Sequence, residues 1–412
     1  MPSEPALLLR HHRPFIAFWL ARIFTASGFQ MLTVAIGWNL YQLTGNVLDL
    51  GLVGLVEFIP RVLFMLHTGH VADRYERRKV AAICQTVQAL IALSLAMGGL
   101  TGSVTREMIF ILAFLLGAAR SFEMPTTQAL LPSIVPSALF PRAVASSQSA
   151  QQLATIVAPA LGGLLYAFGS VWVYGPTVAL YLIACVLTLN LPARQTPLNK
   201  AKATLDSLLA GIRFIRSRPD ILGAISLDLF AVLLGGATAL LPVFAKDILL
   251  TGAWGLGLLR SAPAVGALLM SLWLARFSVD RQVGRVMFTA VGVFGVATIA
   301  FGLSTSFWFS LAVLVVLGAA DMISMVIRAS FVQLETPDEM RGRVSAVNGL
   351  FIGASNQLGE FESGITAHWF GTVPAVVMGG VGTLLVTGVW IKLFPSLANR
   401  DRMHVPVEEA NV

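Results

Sequence analysis

Ionisable side chains set inside long apolar runs are the residues of this sequence whose types and spacing could do chemistry. Arg22, Glu57 with Arg61 four residues on, Arg120 with Glu123 three residues on, Asp228, Arg260, Asp321, Arg328, Glu360 and Glu362 each interrupt otherwise apolar sequence. At bilayer depth such a group costs roughly 2.5 to 3.5 kcal/mol on insertion scales, so it faces a polar cavity or a partner. Two chemistries fit: holding a charged substrate, or carrying a proton on a carboxylate tuned by burial and by a neighbouring guanidinium. The structural alternative is that each charge only neutralises another and stitches helices together. For Glu57 and Arg61, one helical turn apart, that alternative stands level with function; for Arg120 and Asp321, function is favoured. Arg328, Glu360 and Glu362 lie nearer helix ends and read as gating pairs or solvated groups.

The elements that position these residues are membrane helices. Of 412 residues, 56% are hydrophobic and 12% charged, against roughly 25% charged in soluble domains, which excludes a soluble fold. Apolar runs of bilayer length predict spans at 14–43, 47–68, 80–101, 106–128, 142–167, 171–191, 219–246, 253–276, 285–304, 307–334, 344–369 and 374–394. The fold class is therefore all-α integral membrane with twelve transmembrane helices. Met1 to Arg13 is short and lacks a small-residue cleavage site, so the first span is expected to stay in the protein. The net charge of +7 is a topology signal and not a nucleic-acid patch: most Lys and Arg fall on the N-terminal segment, the even-numbered loops and the C-terminal tail. Positive charge marks the cytoplasmic side, so both termini are expected there. Cys84 and Cys185 fall inside spans and read as packing residues.

One long connection, Pro192 to Pro219, divides the chain into 1–191, a linker at 192–218 and 219–412. Leu205, Leu208, Leu209, Ile212 and Ile215 recur in it at helical spacing, opposite Arg213, Arg216 and Arg218. The linker is expected to lie on the membrane surface as an amphipathic helix; a floppy connection is the alternative. The halves repeat. Gly117-Ala118-Ala119 before Arg120 matches Gly318-Ala319-Ala320 before Asp321, and Pro136, Ala145 and Gly163 match Pro337, Ala346 and Gly364 at the same offset. Asp73-Arg74 and Arg78 match Asp280-Arg281 and Arg285 at a slightly longer one. Over this repeat the buried charges oppose one another in sign: Arg22 aligns with Asp228, Arg120 with Asp321 and Glu57 with Arg260.

Between the second and third runs lies a knot of charge, Gly69-His70-Val71-Ala72-Asp73-Arg74-Tyr75-Glu76-Arg77-Arg78-Lys79. It reads as a tight cytoplasmic loop, with Gly69 closing one helix and Arg77, Arg78 and Lys79 opening the next. Asp73 is suited to cap a helix N-terminus, and Arg74 and Arg78 to pair with acidic groups across the cytoplasmic face. The order Gly-x-x-x-Asp-Arg-x-x-Arg-Arg-Lys resembles the loop between helices 2 and 3 of the major facilitator superfamily of secondary transporters, with Glu76 where that pattern usually has Gly. The resemblance implies two pseudo-symmetric six-helix bundles and a central cavity lined by helices 1, 4, 7 and 10. Arg22, Arg120, Glu123, Asp228 and Asp321 fall on those helices, and Glu57 joins them as a cavity candidate.

Two further segments are similar to exporter motifs of that superfamily. Arg120-x-x-Glu123 resembles the Arg-x-x-Gln-Gly motif of its proton antiporters, with Glu for Gln and Met124 for Gly. Ala154-x-x-x-Ala158-Pro159-x-x-Gly162-Gly163 resembles the Gly-x-x-x-Gly-Pro-x-x-Gly-Gly motif of its drug and metabolite exporters, in which small residues permit close helix approach and Pro bends the helix. The layout looks most like the exporter branch containing enterobactin and macrolide efflux proteins. The implied activity is proton-coupled export of an amphipathic siderophore or drug across the bacterial cytoplasmic membrane. A lipid-related flippase or a metabolite importer of the same fold remains open, and a membrane receptor or enzyme is the remote alternative. The expected partners are a small-molecule substrate, protons and the lipid bilayer. No phosphate-binding Gly-rich loop and no metal-ligand spacing occurs, so neither ATP, a metal nor a cofactor is expected, and no enzymatic nucleophile motif stands out.

Overall fold

The computed structural model describes residues 9, 12–192, 205–277, 279 and 281–402, and of residues 66, 70, 72, 73, 137 and 205–208 the backbone alone. Six long helices come first: α1 (Arg13–Thr44), α2 (Val47–Arg74), α3 (Arg77–Thr101), α4 (Arg106–Ile134), α5 (Phe140–Tyr166) and α6 (Ser170–Leu189). A short α7 (Leu205–Ser217) precedes α8 (Pro219–Leu234) and α9 (Leu241–Val243). Then follow α10 (Gly252–Arg276), α11 (Val283–Gly302), α12 (Phe307–Leu334), α13 (Asp338–Phe370), α14 (Thr372–Leu393) and α15 (Pro395–Ala398). Among the described residues nine helices are long and apolar enough to cross a membrane. The expected second, fifth and eleventh spans, α2, α5 and α13, also form long helices, but their composition is more polar.

Local chemistry sets the helix ends. The α1 helix stops where Gly45 takes a left-handed conformation (φ 60°) and returns its N–H to the Tyr41 carbonyl; Gly102 does the same for α3. At the start of α4 the Thr105 hydroxyl accepts from the Met108 N–H at 3.2 Å. The seventh span is not one helix: α8 ends at Gly235, a 3₁₀ turn covers Ala237–Leu240, and a π-helix covers Phe244–Ile248 beyond α9. Two adjacent glycines and Pro242 remove the helix preference at that depth.

The chain forms two compact units. The first comprises Met1–Gly45, Val56–Ala203 and Gly252–Ser261, the second Asn46–Leu55, Thr204–Thr251 and Ala262–Val412. In the first, α1 packs on α5 and α6, and α3 on α4 and α6. In the second, α8 packs on α13 and α14, and α11 on α12 and α14. The same packing order thus recurs, as the sequence repeat requires. The repeat-matched glycines do the same work: a Cβ on Gly117 would meet the backbone carbon of Glu57 at 2.8 Å, and one on Gly318 would meet that of Pro263 at 2.5 Å. In each unit a glycine lets two backbones touch.

The linker helix α7 is not simply laid on a surface. Ile215 is buried in the second unit's core with Ile221, Val344 and Val347, and Gly211 lies against the Arg343 carbonyl of α13, while Leu209 and Ile212 are exposed. The linker cations Arg194, Lys200 and Lys202, the repeat residue Asp280 and the side chains of Leu205 and Leu208 lie outside the described residues.

If close backbone contact at Gly117 holds α4 to α2, Gly117→Ala should destabilise by about 1–3 kcal/mol. The thermal midpoint of the detergent-solubilised protein should fall, whereas Gly175→Ala, which has open space around it, should leave it unchanged or higher. Equal midpoints for the two variants would contradict this packing.

Candidate functional site

In the first unit, α1, α3, α4, α5 and α6 line a partly open cavity of ≈ 190 Å³. Its polar lining includes Arg22 and Thr25 from α1, Gln85 from α3, Arg120, Glu123, Thr127 and Gln128 from α4, and Gln148 and Gln151 from α5. Glu123, buried, accepts from Gln88 Nε2 at 2.7 Å and lies 3.8 Å from the Arg120 guanidinium. Arg120 also stands over the Phe29 ring at 3.9 Å, a cation–π contact. Arg22 donates to Gln151 Oε1 at 3.4 Å, and Gln85 donates to Thr25 Oγ1 at 3.2 Å. Buried polar atoms are left over: Nε of Arg22, Nε of Arg120, and Oε1 of Gln85 and of Gln88 have no hydrogen-bond partner among the described residues. The arrangement presents guanidinium and amide groups to a partly open space, which is the chemistry of anion and hydroxyl recognition. Among the described residues no cluster of His, Cys, Asp and Glu could hold a metal ion.

The sequence-predicted residues are brought together unevenly. Arg22, Arg120 and Glu123 line this cavity, but Glu57 is absent from its lining. It pairs with Arg61 at 3.1 Å, within electrostatic reach of Arg260, and its backbone is the surface on which Gly117 rests. Gln85, Gln88, Gln148 and Gln151 escaped sequence reasoning because it followed charge alone. The i, i+3 spacing of Gln85 and Gln88 in an apolar helix was the available signal.

In the second unit Asp228 of α8 forms an ion pair with Arg328 of α12, and both are buried. Arg328, in the last turns of α12, reads from the sequence as a gating or solvated group. It lies instead inside the helix packing at 4% exposure, because its own α8 partner removes the need to reach water. Asp228, Asp321 and Ser324 line a small cleft with the apolar Val232, Val291 and Phe294. Asp321 has no ion-pair partner among the described residues; it interacts electrostatically with Asp228 and Arg328. Asp228 thus finds its counter-charge within its own unit. Glu362 accepts from Thr366 at 2.7 Å, and the Glu360 carboxylate lies where Gly54 leaves room for it.

The charged segment is shorter as a loop than expected. The α2 helix runs through Gly69 to Arg74, so Gly69 does not end it, and only Tyr75 and Glu76 separate α2 from α3. Helix propagation through Asp73 and Arg74 costs little once the preceding turns are formed. The side chain of Asp73 lies outside the described residues. Arg74 is exposed in the last turn of α2, where a cation suits the helix dipole. Arg78 pairs with Glu76 and donates to the carbonyls of Leu189 (3.2 Å) and Leu191 (2.9 Å), thereby tying α3 to the end of α6. Arg77 donates to the Ala129 carbonyl of α4 at 3.0 Å. Hydrogen bonds from Lys79 and Arg78 hold the Glu76 carboxyl below the usual carboxylate range.

On α5, Ala154, Ala158, Pro159, Gly162 and Gly163 are all buried. A Cβ on Gly162 would meet Met31 Cα of α1 at 3.0 Å, and one on Gly163 would meet Gly257 Cα of α10 at 2.8 Å. The small residues bring helices close on both sides of α5.

Long apolar helices in a twofold packing repeat, with buried charges around a partly open cavity, are the architecture of a multi-pass membrane protein. A family model described as transmembrane secretion effector matches residues 8–409. The chain belongs to this family, within the major facilitator superfamily, and is accordingly a transporter and not an enzyme. It is 27% identical over 380 residues to the enterobactin exporter EntS of Escherichia coli O1:K1, covering 92% of this chain and 87% of that one. The EntS of Citrobacter koseri is 28% identical with the same coverage. Among solved structures, a bacterial homologue of the human lysosomal transporter Spinster in an inward-facing, occupied conformation matches with TM-score 0.74 at 14% identity, covering 96% of this chain and 98% of that one. The nucleoside transporter NupG matches with TM-score 0.66 at 17% identity, covering 92% and 99%.

The buried pair gives a direct test. Arg328→Gln strands Asp228 and should cost about 3–5 kcal/mol, whereas Asp228→Asn with Arg328→Gln should recover most of the lost thermal midpoint. A single variant as stable as the native protein would contradict the pairing.

Proposed function

We propose that this transporter exports an amphipathic small molecule, of siderophore or drug type, in exchange for protons. The observation that carries the reading is the charged, amide-rich cavity lined by otherwise apolar helices of the first unit, in a chain similar to enterobactin exporters over 92% of its length. In the second unit the Asp228–Arg328 pair neutralises itself, and Asp321, beside Asp228 in the same cleft, is the carboxylate assigned to take and release a proton. Two bundles, 1–191 and 219–412 joined by 192–218, alternate access to the binding residues by rocking. The chain resides in the bacterial cytoplasmic membrane with both termini inside, and the α2–α3 charges stabilise the cytoplasmic ends of the first bundle.

Everted vesicles acidified by respiration supply the test. Catecholate siderophores, macrolides, dyes and lysophospholipids are added in turn, and proton release is recorded. Release is expected on addition of the transported class and should be lost in Asp321→Asn. Release unchanged in a well-expressed Asp321→Asn would remove Asp321 from coupling. Substrate movement out of everted vesicles would favour a metabolite importer, and a response to lysophospholipids alone a flippase.

A further inference from the structure

We infer that the first-unit cavity binds an acidic, hydroxyl-bearing part of the transported molecule, so that organic anions are accepted and cationic drugs are not. This rests on the export reading and names the substrate class for its site.

Charge is the first argument. In the span interiors of the first unit the guanidiniums of Arg22, Arg61, Arg120 and Arg260 outnumber the carboxylates of Glu57 and Glu123. Glu57 is engaged by Arg61 and Glu123 by Gln88 and Arg120. Among the described residues Arg22 has no ion pair: it donates to the neutral Gln151, its Nε is unsatisfied, and Glu123 acts on it electrostatically without forming a salt bridge. An unmatched guanidinium inside a membrane helix is costly, and its planar fork fits a carboxylate better than any neutral group. An anion arriving from solution supplies the missing charge, while a cation would meet two guanidiniums.

The second argument is Gln85. It is 3% exposed and lines the cavity, its side chain bonds Thr25 and Glu123, and its Oε1 has no hydrogen-bond partner among the described residues. A buried acceptor left open costs about 1–3 kcal/mol, and a hydroxyl or N–H on the ligand satisfies it. Phe18, Ala26, Leu130 and Leu191 complete the walls with apolar surface. A cavity of about 150 Å³ admits benzene, so the ≈ 190 Å³ here suits one substituted ring. The site therefore asks for three things at once: a negative group, a hydrogen-bond donor and an apolar body.

Calorimetry on the full-length protein in lipid nanodiscs separates these requirements, with 4-hydroxybenzoate, 4-hydroxybenzamide, benzoate and ethidium as probes. Saturable binding of 4-hydroxybenzoate is expected, with the amide and ethidium weaker by about tenfold or more, in line with loss of a charged hydrogen bond. Arg22→Gln should weaken the acid by a similar factor, whereas Arg22→Lys should retain a preference for acid over amide. Gln85→Leu should bring 4-hydroxybenzoate and benzoate to within about twofold of each other. Equal affinity for acid and amide, unchanged affinity in folded Arg22→Gln, or no saturable binding of the acid would overturn the proposal. Uptake into everted vesicles distinguishes the two readings. Charge-selective binding without uphill uptake of the acid would keep the site and reject export; uphill uptake of neutral and acidic probes alike would keep export and reject the site.

Discussion

A charge inside hydrocarbon must be matched, and the structure of each unit is arranged around how that is done. In the second unit the solution is local: Arg328 meets Asp228 and the pair is sealed between helices. In the first unit matching is incomplete. Arg120 shares Glu123 with Gln88 and leans on the Phe29 ring, and Arg22 donates to the Gln151 amide oxygen with no ion pair among the described residues. What a closed helix packing would not tolerate, a cavity can, provided that something arrives to fill it.

The frame that holds these charges is set by backbone contact rather than by the charges themselves. Gly117 on Glu57 and Gly318 on Pro263 make equivalent helix crossings in the two units, although the residues three positions later, Arg120 and Asp321, differ in sign. Packing and polarity are therefore separable on these helices. The glycine face keeps the crossing, and the neighbouring face is open to carry a cation in one unit and a carboxylate in the other. A shared scaffold with opposite chemistry is what a carrier needs if one unit recognises an anion and the other handles a proton.

The spans, the repeat and the charges that line the cavity could be read from the sequence because bilayer length, glycine spacing and the rarity of buried charge are one-dimensional signals. Rotation about a helix axis is not. Whether Glu57 faced the cavity or Arg61, and whether Arg328 met water or Asp228, depended on which side of each helix the residue occupied. The end of α2 was misplaced because charged residues such as Asp73 and Arg74 break an apolar run without breaking a helix. Gln85 and Gln151 went unnoticed because neutral amides look unremarkable in composition, yet they supply much of the cavity's hydrogen-bonding capacity.

Recognition by the first unit and proton handling by the second form one account only if the transported molecule sits against Arg22 and Gln85. The most direct measurement is an electron cryomicroscopy map of the protein in nanodiscs saturated with 4-hydroxybenzoate. The account predicts ligand density between α1, α3 and α4, with the carboxylate in hydrogen-bond reach of Arg22 and the hydroxyl toward Gln85. Ligand density elsewhere, with this cavity filled by water alone, would contradict it.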